Sequence, residues 1–260
     1  FHNSWVDDAV FSNDGNTIAT CGYDYTAKLW TKEGMFLRSL KGHREYGVYS
    51  VVFSTDDKFI LTTGLDKTAR VWNMQGQEIS VLKIDEIPIT AKFSYDNKHI
   101  LTISRNNSTA VWELNGSIVQ TFNETMYADI AYNGNTVAVS GKDSTLCFYE
   151  IDNLNETNDA PVLKTEKFPC KFENLKFSND SKFLTAVSEQ NNLYLWAVNI
   201  TDGIKINLIS SVKAHDGKIN SINFSKDSKL IVTASSDNSA KIWDLNGTLK
   251  AILSGHSNIL

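Results

Sequence analysis

Short apolar runs separated by polar turns recur along the whole chain. From 49 to 82 the order is YSVVFS, a polar turn TDDK, the β-branched run FILTTG, a break at LDK, the alternating run TARVW, a Gly-containing break NMQGQ, and EISVL. Runs of five or six residues bounded by Asp, Asn, Gly and Ser predict strands joined by hairpins, here at 49–54, 59–64, 68–72 and 78–82, paired as one antiparallel sheet. No segment sustains an apolar period of 3.6 residues with capping residues, so helices are expected to be nearly absent.

The same scheme is then rewritten. FSNDGNTIATCGYDYTAKLW at 11–30 returns as FSTDDKFILTTGLDKTARVW at 53–72, FSYDNKHILTISRNNSTAVW at 93–112 and FSKDSKLIVTASSDNSAKIW at 224–243. Weaker copies are AYNGNTVAVSGKDSTLCFYEI from Ala131 and FSNDSKFLTAVSEQNNLYLW at 177–196. The opening aromatics Phe11, Phe53, Phe93, Tyr132, Phe177 and Phe224 are 42, 40, 39, 45 and 47 residues apart. A fixed period of this length marks an array whose units cannot each bury their own faces. Repeats are placed near 2–41, 42–82, 83–122, 123–164, 165–213 and 214–254, with 255–260 (GHSNIL) read as the start of a further one.

Four strands per repeat of this length is the make-up of a propeller blade. Gly42 and His43, then Asp66, then Trp72 resemble the GH…D…W skeleton of the WD-repeat β-propeller family, and His215, Asp237, Trp243 and Asp244 resemble it again with the full Trp-Asp ending. His to Trp is 28 residues from His2 to Trp30, 29 from His43 to Trp72 and 28 from His215 to Trp243. The resemblance implies an all-β propeller of four-stranded antiparallel blades, six visible here, with six closing on themselves or forming part of a seven-bladed ring. It also implies a hydrogen-bonded chain of His, Thr, Asp and Trp in each full repeat: His43, Thr62, Asp66 and Trp72; His215, Thr233, Asp237 and Trp243; and His2, Thr20, Asp24 and Trp30.

The middle repeats depart from the skeleton. The third has no His and carries Asn106 for Asp; the fifth has no His and carries Gln190. Losing both partners together costs little, whereas stranding one is expensive. The fourth keeps Asp143 without a His and has Tyr149 for Trp, so Asp143 is expected to rely on its own turn amides.

Composition narrows the function classes. With 42% hydrophobic and 11% aromatic residues the chain can bury a substantial core. A net charge of −5 with dispersed Lys and Arg argues against a broad nucleic-acid surface. No apolar run approaches the ~20 residues that cross a bilayer, and no membrane partner is expected. Cys21, Cys147 and Cys170 form no CxxC pair and have no His at metal spacing, so no metal or cofactor is expected and a reducing, cytoplasmic setting fits. The Asn-x-Ser/Thr triplets at 115, 123 and 246 are read as turn asparagines rather than glycosylation sites. The chain opens on Phe1 in mid-pattern, which reads as a piece of a longer polypeptide.

Phosphate loops, metalloprotease helices, nucleophile elbows and dinucleotide fingerprints are all absent from the sequence. The His and Asp residues recur once per repeat, which points to architecture, and no catalytic residue is assigned. Residues beside them that escape the repeat rule are the candidate partner contacts: Trp5 and Tyr46, three after a His, and Tyr23, Leu65, Arg105, Lys142, Glu189 and Ser236, each one before the Asp position. Trp5 and Tyr46 have two readings, wedges between adjacent blades or contacts for a partner. Lys142 and Glu189 fit solvated surface better than contact. Two connectors break the period, 150–174 and 197–212; the stretch DNLNETNDAP in the first is expected to be an outer-edge loop or a docking element.

The expected function is a non-enzymatic interaction platform for protein partners or other domains of its parent chain. The endings WELNG at 112–116 and WDLNG at 243–247 resemble arrays appended to signalling ATPases of the apoptosome type, where the propeller is a sensor or autoinhibitory clamp. A scaffold similar in role to the β subunit of heterotrimeric G proteins, and a propeller enzyme with its site in the channel mouth, are the alternatives.

Overall fold

The computed structural model describes residues 1–154 and 160–255. Among these the strands form six four-stranded antiparallel sheets, each in simple chain order, and the one helical element is a 3-10 turn at Ile151–Asn153.

The chain divides into two compact units, Phe1–Asn123 and Glu124–Leu260. Unit 1 holds three sheets: β1 (Val6–Phe11), β2 (Thr17–Gly22), β3 (Thr26–Thr31), β4 (Phe36–Lys41); β5 (Val48–Phe53), β6 (Phe59–Gly64), β7 (Thr68–Asn73), β8 (Glu78–Lys83); and β9 (Pro88–Phe93), β10 (His99–Ser104), β11 (Thr109–Glu113), β12 (Ile118–Phe122). Unit 2 holds β13 (Thr125–Ile130), β14 (Thr136–Gly141), β15 (Leu146–Glu150), β16 (Leu163–Lys164); β17 (Phe172–Phe177), β18 (Phe183–Ser188), β19 (Asn192–Asn199), β20 (Lys205–Lys213); and β21 (Ile219–Phe224), β22 (Leu230–Ser235), β23 (Ser239–Asp244), β24 (Leu249–Ser254).

The repeated Phe-Ser-x-Asp opening builds the first hairpin of a sheet. In five of the six, the Ser hydroxyl donates to the Asp two residues on, from Ser12–Asp14 at 2.6 Å to Ser225–Asp227 at 2.6 Å, and accepts the amide five residues on. The turn needs one left-handed residue, supplied by Gly15, Asp57, Asn97, Gly134, Ser181 and Ser228.

Within each unit, consecutive sheets bury their facing sides together. Trp72 of the second sheet lies among Ala19, Leu29 and Leu40 of the first, and Trp112 of the third among Leu61, Val71 and Leu82 of the second. In unit 2, Trp196 packs among Ala138 and Phe148, and Trp243 among Leu193 and Leu195. Each closing Trp therefore caps the preceding sheet. Trp30 has no preceding sheet in its unit; it is half-buried and takes Phe36 edge-on at 5.4 Å.

The connector expected at 197–212 is mostly strand. β19 and β20 run long, to eight and nine residues, and leave only a short turn between them. The period breaks because the hairpin is extended: Val198 and Ile204 continue the buried side begun at Trp196. Of the 150–174 connector, residues 155–159 lie outside the described residues, as do 256–260 of the segment read as a further repeat. Around the first gap the chain makes the 3-10 turn and the two-residue strand β16.

Candidate partner-binding face

One end of every sheet is built by the same two pieces, the segment entering the first strand and the turn between the second and third. A backbone hydrogen bond locks them together six times. The amides of Tyr23, Leu65, Arg105, Lys142, Glu189 and Ser236 donate to the carbonyls of Trp5, Gly47, Ile87, Glu124, Lys171 and Lys218, at 2.8–3.1 Å. The six candidate contacts that precede the Asp position thus occupy one equivalent place per sheet, three in each unit.

A second device recurs at the same end. The register between the first and second strands slips by one residue in every sheet, leaving Asp7, Tyr49, Ile89, Met126, Glu173 and Asn220 as the extra residue. A bulge bends the strand and re-aims its extra side chain, here beside the turn residues.

Behind these residues lie three His-Thr-Asp-Trp chains. In the second sheet His43 Nδ1 is 2.9 Å from Asp66 Oδ1, His43 Nε2 is 2.8 Å from Thr62 Oγ1, and Trp72 Nε1 donates to the same Thr62 oxygen at 2.9 Å. His2, Thr20, Asp24 and Trp30 repeat this with 2.9, 2.7 and 2.9 Å, and His215, Thr233, Asp237 and Trp243 with 2.8, 2.7 and 3.0 Å. A neutral imidazole satisfies every member: Nδ1–H donates to the carboxylate while Nε2 accepts the Thr hydroxyl, whose oxygen accepts the indole N–H. Burial holds the His215 imidazole below its ordinary value despite the opposing Asp237 charge, consistent with the neutral form.

Burial works to raise the Asp66 carboxyl, but hydrogen bonds from His43, Thr68 and the Arg44 amide overcome it and hold it down at about 2. Asp24 and Asp237 are likewise held well below the carboxylate range. For Asp24 part of the reason is a cation on the third strand that composition alone did not expose. Lys28 Nζ reaches Asp24 Oδ2 at 2.5 Å, and Arg70 lies 3.7 Å from Asp66 while pairing with Glu78 at 2.6 Å. The equivalent Lys241 instead donates to the Ala214 carbonyl at 2.6 Å.

Where the His is missing, the chains shorten. Trp112 still donates to Thr102 at 2.9 Å, and Asn106 Oδ1 accepts from the amide and hydroxyl of Ser108 in its own turn. Asp143 accepts from its turn through Thr145 and also takes Lys164 at 3.1 Å, a partner beyond the turn amides expected for it. In the fifth sheet Trp196 stacks on Tyr194 at 5.6 Å and 12°.

The candidate aromatics are not wedges. Trp5 is 79% and Tyr46 67% exposed, and Trp5 meets Tyr23 edge-on with ring centroids 6.0 Å apart. The loop that lifts Tyr46 turns through two left-handed residues, Tyr46 (φ 59) and Gly47 (φ 93). A Cβ at Gly47 would press on the Tyr23 ring at 3.3 Å, so glycine lets this loop lie against Tyr23.

Between the turns and bulges of unit 1 is a cleft of about 450 Å³. The turn residues Tyr23, Leu65 and Arg105 line it together with the bulge residues Asp7, Tyr49 and Ile89, and Ile87 and Pro88 complete the wall. Sequence reasoning found the turn residues and missed the bulges. In unit 2 the equivalent side chains engage one another more: Glu173 pairs with Lys218 at 3.5 Å, and Asn220 donates to Ser236 at 3.1 Å. Lys142 and Glu189 are exposed. Among the described residues no group of three His, Cys, Asp or Glu side chains could hold a metal ion.

Comparison with known proteins agrees with this architecture. The family model of the WD domain, G-beta repeat, matches residues 1–31, 34–73 and 206–244. A solved structure of the β-propeller domain of Cps50 (Swd1) from Myceliophteria thermophila superposes with a TM-score of 0.78, over 98% of this chain and 88% of that one, at 13% sequence identity. Among curated protein sequences there is no match. The sheets are propeller blades, and the three stretches that match the WD-repeat model are the ones that hold the His-Thr-Asp-Trp chains, so the chain is a β-propeller that carries WD repeats.

Proposed function

We propose that the chain is a non-catalytic platform that holds a protein partner on the turn-and-bulge face of unit 1. WD-repeat propellers are generally protein-interaction scaffolds. The observation that carries the reading here is the exposure of Trp5, Tyr23 and Tyr46 beside Arg105, on turns fixed by hydrogen bonds. Aromatics and Arg dominate interface energetics, and a rigid frame spares their ordering cost on binding. The three His-Asp pairs are each occupied by Thr and Trp partners, which supports an architectural rather than a catalytic use. Lys142, Glu189 and Ser236 form the corresponding surface of unit 2 and take a lesser part in this reading.

The finer role is that of a sensor or autoinhibitory module beside a signalling ATPase in a longer cytoplasmic protein. WELNG and WDLNG support it through their resemblance to such arrays, and the free thiols Cys21, Cys147 and Cys170 support a reducing compartment. A phosphate loop encoded upstream of Phe1 decides for this role, and its absence decides for a free-standing scaffold.

The platform is tested with single alanine variants of Trp5, Tyr23, Tyr46 and Arg105, immobilised beside the wild-type chain and exposed to lysate of the cells that make it. The expected result is a protein retained by wild type and weakened by about 1 kcal/mol or more per variant, with melting temperatures unchanged. Four well-folded variants that retain the same protein at wild-type affinity move the site off this face.

A further inference from the structure

We propose that the unit 1 cleft recognises a single carboxylate side chain of an extended peptide, seated between Arg105 and the Tyr49 hydroxyl. This deepens the partner-binding reading and rests on it. Two donor side chains, Tyr49 and Arg105, line the cleft. The Tyr49 hydroxyl is buried with that of Thr63 as its one neighbouring partner among the described residues, and a pair of hydroxyls leaves one of its two protons without an acceptor. Arg105 is exposed at the rim and makes no ion pair within 4 Å among the described residues; the nearby Glu86 is engaged by Lys67 at 3.2 Å. Its charge is close enough to act on the Tyr49 phenol, which burial raises and Arg105 and Thr63 lower.

A buried hydroxyl proton without an acceptor is costly, and a ligand that supplies the acceptor recovers that cost on binding. A carboxylate does so and takes the guanidinium as well, through two parallel N–H donations. One guanidinium with one neutral hydroxyl matches a monoanion better than a phosphate dianion. Leu65, Ile87 and Ile89 offer apolar wall to residues flanking the acid. Across the second sheet from Arg105, Asp7 places a negative charge on the opposite wall, which opposes a second acid there and gives the peptide a direction.

The test is selection of a random peptide library displayed on phage, run in parallel on the wild-type chain, Arg105→Ala, Tyr49→Phe and Trp5→Ala. Wild type is expected to enrich sequences with Asp or Glu at one fixed position. A synthetic peptide from that pool is expected to bind at least about tenfold more tightly than its Asn or Gln twin. Arg105→Ala is expected to erase the preference. Tyr49→Phe, which keeps the ring and its packing, is expected to reduce it at unchanged melting temperature. Enriched peptides with no acidic position, or an acidic preference that survives Arg105→Ala, overturn the carboxylate site while leaving the face as a binding surface. Enrichment that is the same on Trp5→Ala as on wild type, with no acidic position, overturns the face as well.

Discussion

Replacing Trp72 by alanine is expected to lower the stability of the chain by about 3–5 kcal/mol, the largest effect of any single substitution considered. The indole is 1% exposed and fills space between the first and second sheets among Ala19, Leu29, Leu40 and Val51. Its removal leaves a cavity that two sheets, each fixed by its own ladder, cannot collapse to fill. It also removes the indole N–H from Thr62, at the centre of the chain that ends on Asp66. Trp30→Ala makes the same chemical change where the ring is half-buried, and is expected to cost markedly less. Chemical denaturation of the two variants checks this, and equal losses contradict the packing described.

Asp66→Ala is expected to cost on the order of 1–3 kcal/mol, and Asn106→Ala well under that, although the two residues hold the same place in neighbouring repeats. The Asp66 carboxylate receives His43, the Arg44 amide, and the amide and hydroxyl of Thr68, with side-chain exposure of only 8%. Its loss strands a buried imidazole N–H and brings Arg70 beside no carboxylate but Glu78. Asn106 is exposed and serves Ser108 of its own turn. Thermal unfolding of both variants decides: similar shifts in midpoint mean that the His43-Asp66 pair contributes little.

Much of this was legible before any coordinates. The strands at 59–64, 68–73 and 78–83 stand within a residue of where the alternation and turn residues put them, because hairpin turns and period-2 patterning are local properties. The first strand shifted by one, to Val48–Phe53. The residues of the three His-Thr-Asp-Trp chains were readable through the resemblance to WD repeats, which residues recurring in phase carry. What escaped the sequence is long-range. The bulges at Asp7, Tyr49 and Ile89 add no motif; only the slipped pairing with the second strand reveals them. A local pairing was missed as well: Lys28 and Arg70 read as ordinary charges on an alternating strand, and nothing in that pattern shows the carboxylates of Asp24 and Asp66, four residues back in the turn that opens the strand, folding over to meet them. Lys164 reaches Asp143 from a two-residue strand that carries no periodic signal.

The measurement that bears most directly on the central claim is photo-crosslinking in the cells that make the protein. A benzophenone amino acid replaces Tyr46 on the turn-and-bulge face, and in a second chain replaces Tyr95, which is 48% exposed in the hairpin between β9 and β10 at the other end of its sheet. Irradiation is predicted to give a discrete protein adduct from position 46 and none of that mass from position 95. The same adduct from position 95, with none from 46, contradicts the assignment of the binding face.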